Sequence, residues 1–183
     1  MKTSKLILFL FLGLTTSIFS QSEKDKEIIK DAEKAKTEFI KKDKAMEVQF
    51  KKAAAYVIFP NVGKGALVIG AASGNGAVYQ NGNLVGMASM KQVDIGLQAG
   101  GESYSEVILF NSEKAFNQLK DNKLEFTAGL SAVAIEEGES ISAKYTDGIA
   151  VYVLPKAGLM VDASVGGQKF EYYPLPTLKA NNK

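Results

Sequence analysis

Up to residue 52 the apolar positions recur at helical spacing, and beyond it they alternate with period two. Ile28, Ala32, Ala35 and Phe39 step by four, three and four, with Ile29 and Ile40 beside them, which predicts a helix over residues 22–41. Ser22, followed three residues on by Asp25, reads as its start signal. The stripe is narrow and set among dense charge, so this helix needs a surface to lie on. Asp43 interrupts the pattern and is placed to cap a second helix, in which Met46 and Phe50 lie four apart. Lys51 and Lys52 fall in its last turn, where the helix dipole favours positive charge.

Strand signals follow. Tyr56-Val57-Ile58-Phe59 is a run of β-formers that ends at the turn pair Pro60-Asn61. Residues 65–72 read as a strand, Ser73-Gly74-Asn75-Gly76 as a turn, and 77–80 as the next strand. Asn81-Gly82-Asn83 joins that to 84–90, and Asn-Gly between two β stretches is the strongest short hairpin signal. Val93, Ile95, Leu97 and Ala99 alternate with Asp94, Gly96, Gln98 and Gly100, and 104–110 is the most apolar strand. Asn111-Ser112 caps a short helix through Leu119, with Ala115, Phe116 and Leu119 on one side, before Asp121-Asn122 turns the chain. Alternation resumes from Leu124 to Ala134, then come the acidic turn Glu136-Glu137-Gly138-Glu139 and strands near 140–145, 149–154, 159–165 and 169–173. The predicted fold class is α+β, mainly antiparallel β: a glycine-rich curved sheet or barrel of short strands, with an N-terminal helical arm and one short internal helix. Gly70, Gly96, Gly129 and Gly158, inside strands, favour the barrel, because glycine lets strands bend sharply at its corners.

The first residues carry a different signal. Lys2 and Lys5 precede an apolar stretch over 6–14 that is too short to span a membrane, and the small residue Ser20 stands before a polar segment. This is the pattern of a secretory signal cleaved after Ser20, with an uncleaved anchor as the rival. Export to the periplasm, the cell envelope or the medium follows, with no transmembrane segment in the mature chain. The divisions are then 1–20 signal, 21–52 helical arm, 53–175 β domain and 176–183 disordered tail.

The formal charge of +2 is that of Lys2 and Lys5, so the mature chain is neutral. Lysines number 10 against 8 acids over 21–52, and 8 against 12 over 53–175, so a slightly basic arm precedes an acidic body. A neutral chain lacks the field that non-specific nucleic-acid binding needs. The chain has no cysteine, histidine, tryptophan or arginine. Thiol catalysis, the usual base near neutral pH, the usual zinc ligand and bidentate anion clamping are therefore all missing. No catalytic residue, cofactor or metal site is expected, and the reading is of a protein that is not an enzyme.

Four constellations of residues bear on chemistry. Gly63, Gly65, Gly70, Gly74 and Gly76 lack the Gly-Lys-Ser/Thr of a phosphate loop and read as turns and bends. Asp94, Glu102 and Glu106 could form a paired-carboxylate site, although solvated edge charges are commoner, and Glu136, Glu137 and Glu139 lack calcium-ligand spacing. Lys41, Lys42, Lys44, Lys51, Lys52 and Lys64 surround the second helix and the end of the first strand, with Ile40, Met46, Phe50, Phe59 and Val62 interleaved. Such a pattern suits an anionic membrane surface. It equally suits a helix docked on the body with its lysines in water.

The segments FPNVGKGA (59–66), GNGAVY (74–79), QVDIGLQAGGESYSE (92–106) and GLMVDASVGGQKF (158–170) resemble the bacterial SYLF domain over nearly the whole mature chain. The resemblance implies lipid binding, a β-rich fold with helical additions and no catalytic motif. Eukaryotic members typically carry a Gly-Pro-x-Gly-Arg-like stretch where this chain has Ile135-Glu136-Glu137-Gly138. That departure tells against phosphoinositide specificity and actin binding. The expected partner is anionic phospholipid headgroups, met peripherally by the lysines named above. The alternative is a structural or assembly module whose N-terminal helices dock on a protein partner in the envelope.

Overall fold

The computed structural model describes residues 22–64, 71–93, 103–126, 132–135, 145–157 and 165–175. The expected signal 1–20, the tail 176–183, the four strand glycines 70, 96, 129 and 158, the acidic turn and most of the strands expected near 140–145 and 159–165 lie outside the described residues. The elements are α1 (Glu23–Lys42), α2 (Ala45–Lys52), β1 (Ala55–Lys64), β2 (Ala71–Gln80), β3 (Asn83–Val93), β4 (Ser103–Phe110), α3 (Glu113–Lys120), β5 (Val133–Ala134), β6 (Ile149–Ala157) and β7 (Gln168–Pro174).

Local chemistry sets the helix starts. The Ser22 Oγ accepts from the Asp25 amide at 3.1 Å while the Asp25 carboxylate accepts from the Ser22 amide at 3.3 Å, so two orphan donors are satisfied reciprocally. Asp43, expected to cap α2, is the C-cap of α1, and the N-cap position of α2 is Lys44; the Asp43 Oδ1 still satisfies the Ala45 amide at 2.8 Å. Ser112 caps α3 through the Ala115 amide, and Ala115, Phe116 and Leu119 are its buried face, as their spacing predicted.

One seven-stranded sheet carries the fold, in the order β5-β6-β4-β1-β2-β3-β7, antiparallel except for β5 beside β6. Asn81 and Gly82, both at positive φ, close the β2–β3 hairpin. Two expected turns are strand instead. Pro60-Asn61 sits inside β1, where the register slips between Ile58 and Asn61. A bulge is one of the few places a sheet accepts proline, because no ladder donor is lost there. Ser73 to Gly76 lies inside β2, in register with both β1 and β3. Its glycines serve close approach: a Cβ on Gly76 would stand 2.6 Å from the Ile58 carbonyl oxygen and 2.8 Å from the Phe59 ring.

Among the described residues no barrel is formed. The sheet is open, with β5 and β7 as its edges. It is nevertheless strongly curled. β4 and β7 are four steps apart, about 19 Å in a flat sheet, yet Gln168 Nε2 on β7 donates to Glu106 Oε2 on β4 at 2.8 Å. Phe59 on β1 and Phe170 on β7 likewise bring their rings to 5.9 Å. The chain between the edges helps to cover the opening, since Glu125 bridges Lys169 on β7 while Val133 and Ala134 pair with β6.

Curling produces two cores. The concave side buries Val57, Phe59, Ile108, Phe110, Val151 and Phe170 with α3 over one end. The convex side buries Tyr56, Ile58, Tyr79, Leu109 and Tyr152 beneath α1 and α2. β1 lies next to β4 and β2 near the middle of the sheet and is covered on both faces, which is why its sequence reads as an unbroken apolar run.

Gly76→Ala is expected to destabilise the protein by about 1–3 kcal/mol, because the backbone of β1 must move. Gly63, where an added Cβ meets nothing within 4 Å, is the control, and Gly63→Ala is expected to change stability by less than about 0.5 kcal/mol. Urea midpoints of the two variants check both.

Candidate functional site

The helical arm is part of the body. Ala32, Ala35 and Phe39 of α1 and Met46 and Phe50 of α2 are buried against the convex core. The clamp that seats them is Lys36, whose Nζ donates to the Tyr56 hydroxyl at 2.8 Å and lies 4.9 Å from the Tyr56 ring centroid and 5.2 Å from that of Phe50. Tyr56 in turn stacks on Tyr79 at 4.9 Å. One ammonium thus ties α1 to α2, β1 and β2. Nothing in the sequence pattern singled out Lys36, because cation–aromatic contact depends on three elements that meet only in the fold. Beneath it a cleft of about 550 Å³ opens between the helices and the β2–β3 turn, lined by Lys36, Phe50, Lys51, Tyr56 and Asn81 among others.

Burial of the stripe decides how the arm can act. Phe39, Met46 and Phe50 each contribute about 2 kcal/mol by leaving water, so undocking them costs about 6 kcal/mol. Lysines at an anionic surface contribute about 1 kcal/mol each. The arm's apolar stripe therefore stays on the sheet, and what it offers outward is charge.

Lys41, Lys44, Lys51 and Lys52 are exposed, and Lys42 is half-buried. Lys64 closes β1, in register with Ala72 of β2. The structure gathers Lys44, Lys51 and Lys52 around one residue that the sequence reading passed over. Val48, 48% exposed, is one of two exposed large hydrophobics among the described residues, the other being Tyr173 on β7. In a helix its surface neighbours are positions four before and three and four after, which are Lys44, Lys51 and Lys52. The outer face of α2 is thus an apolar tip ringed by three ammonium groups. Glu47 tempers it: Lys51 Nζ donates to its Oε1 at 2.7 Å, and that bond draws the carboxyl below its usual range.

Of the three carboxylates considered for acid–base work, Asp94 and Glu102 lie outside the described residues. Glu106 is not a solvated edge charge. It is fully buried on the concave side, among Gln92, Tyr104 and Gln168. Burial raises its carboxyl to about 7, against the bond from Gln168, which lowers it. Among the described residues no three carboxylates converge as a metal ion would require. No helix among them is long and apolar enough to cross a membrane.

Residues 91–173, from the end of β3 through β7, match the family model Ysc84, described as Las17-binding protein actin regulator. That match is to the SYLF domain and covers residues 91–173, a little under half of the chain. Beta cell expansion factor A of Aeromonas veronii is 33% identical to it over 123 residues, which are 66% of this chain and 46% of that protein. The chain thus spans about half the length of that curated relative. The SYLF match begins after α1, α2 and β2, so the lysine face belongs to the part of the chain that precedes the matched residues.

Lys36→Met keeps the side chain's length and removes its charge and its donation to Tyr56. The variant is expected to lose about 1–2 kcal/mol of stability, read as a lower urea midpoint. An unchanged midpoint would show that the clamp contributes nothing to docking.

Proposed function

We propose that this protein is a non-enzymatic module of the bacterial cell envelope that attaches peripherally to anionic membrane surfaces through the outer face of α2. The observation that carries the reading is the exposed Val48 ringed by Lys44, Lys51 and Lys52, with Lys41 exposed at the end of α1. A tip of one valine inserts little, so attachment is mainly electrostatic. Four lysines at about 1 kcal/mol each bring about a thousandfold enrichment at an anionic surface, before Glu47 is subtracted. The SYLF domain supports a binding role, as does a sequence without histidine or cysteine. The leading segment with Lys2, Lys5 and an apolar stretch supports placement in the envelope.

The second reading, a module that docks on a protein partner, draws on the matched family's description as a Las17-binding actin regulator. It requires the charged outer faces of the helices, since their apolar stripe is already engaged. A stable complex in pull-downs without liposome binding is its signature.

Co-sedimentation with liposomes tests the leading reading. Binding is expected to phosphatidylglycerol-rich vesicles and not to phosphatidylcholine alone, and to fall away in about 0.5 M salt, where the Debye length is a few ångströms. Lys44→Glu, Lys51→Glu and Lys52→Glu together should abolish it, and Val48→Asp should weaken it, with stability unchanged. Binding indifferent to lipid charge, salt and these substitutions ends the idea.

A further inference from the structure

Glu106 and Gln168 each leave one oxygen without a partner although both side chains are fully buried. The atoms are Glu106 Oε1 and Gln168 Oε1. Their other atoms are joined, Gln168 Nε2 to Glu106 Oε2 at 2.8 Å. Both leftover atoms are acceptors, so the acid–amide pair is short of one donor, which a proton on the carboxyl would supply. Placing it on Glu106 Oε1 turns both orphan atoms into one hydrogen bond, and leaving it off strands a charge in the core at a cost of several kcal/mol.

We propose that Glu106 keeps its proton in the folded protein and pairs head to head with the Gln168 carboxamide, making a proton-dependent clasp that holds β7 over β4 across the open side of the curled sheet. In this pair Glu106 Oε1–H donates to Gln168 Oε1 while Gln168 Nε2 donates back to Glu106 Oε2. Gln92, on β3, steadies the partner: its Oε1 accepts from Gln168 Nε2 and from the Tyr104 hydroxyl, each at 3.3 Å. No charge compensates an ionised Glu106 among the described residues. β1 and β6 present Phe59 and Val153 opposite it, β3 and β7 present the two glutamines, and the titratable groups on that face among the described residues are the phenols of Tyr104, two residues away, and Tyr172 further along β7. Burial is the chief influence on its proton affinity and the Gln168 bond the second.

The sign of the effect follows. A carboxyl whose folded value, about 7, lies above its ordinary 4.5 binds its proton more tightly when folded. Its contribution is complete at pH below the ordinary value and is lost as pH rises through the folded one. Above neutrality the clasp loses its donor and β7 loosens from β4. The chain has no histidine, so the window from pH 5 to 8 is free of other side chains that ordinarily titrate there.

Glu106→Gln replaces the acid with a permanently neutral group that can form the same two bonds. Urea denaturation of the wild type is expected to show a folding equilibrium weakening by on the order of 100-fold from pH 5 to 8, with Glu106→Gln nearly flat over that range. Hydrogen exchange should report selective loss of β7 protection in the wild type above neutrality, with the β1–β2 hairpin unchanged. Equal pH slopes in the two proteins overturn the proposal. Carbon-13 NMR of the Glu106 carboxyl in the wild type decides independently of whether the variant folds. A midpoint near 7 supports the clasp, and a midpoint at or below 4.5 refutes it.

Discussion

The contact between Glu106 on β4 and Gln168 on β7 spans four steps of the sheet, and the sheet must curl for it to exist. Most of the architecture follows from that curl. A sheet bent this far acquires an inside, which β1, β4, β6 and β7 fill with aliphatic and aromatic side chains under α3. It also acquires a convex outside that is as apolar as the inside and has to be roofed. The helices α1 and α2 are that roof, and their lysines face water because their apolar residues have somewhere to go.

Glycine makes the curl possible at specific points. Gly76 lies against the β1 backbone and Gly86 against Tyr172 and the Tyr173 carbonyl, places where a side chain would push neighbouring strands apart. Closure by ladder hydrogen bonds is not reached, and side chains complete it. The Phe126 ring packs edge-on against Phe170 at 4.8 Å, and Phe59 approaches Phe170 from β1. Polar groups at the same seam are the costly part of this design, because each buried oxygen there needs a partner.

The two faces of the sheet separate a buried acid from exposed cations. The concave interior holds a buried carboxyl whose charge state matters to the fold, whereas the convex side carries the docked helices and their exposed cations. A surface built this way presents charge without giving up its own core. The charge balance differs between the two parts in the same sense: residues 21–52 carry 10 lysines against 8 acids, and residues 53–175 carry 8 against 12.

Elements whose causes lie within a few residues were legible in the sequence. The capping box at Ser22 and Asp25, the Ser112 cap, the Asn81-Gly82 hairpin and the buried faces of α1 and α3 all follow from neighbours in the chain, and all stand where their residues placed them. The mainly antiparallel α+β class was legible for the same reason. Where glycine or proline could serve either a turn or a close approach, the sequence alone was ambiguous, so Pro60-Asn61 and Ser73 to Gly76 read as turns although both lie within strands. Only the tertiary structure decided that the sheet stays open, that Lys36 clamps three elements, that Val48 remains exposed among lysines and that Glu106 is buried beside Gln168. The lysines around Val48 are its neighbours along α2, but the other three depend on residues distant in the chain coming together, and a local pattern of polar and apolar positions carries no record of which strand will curl over which.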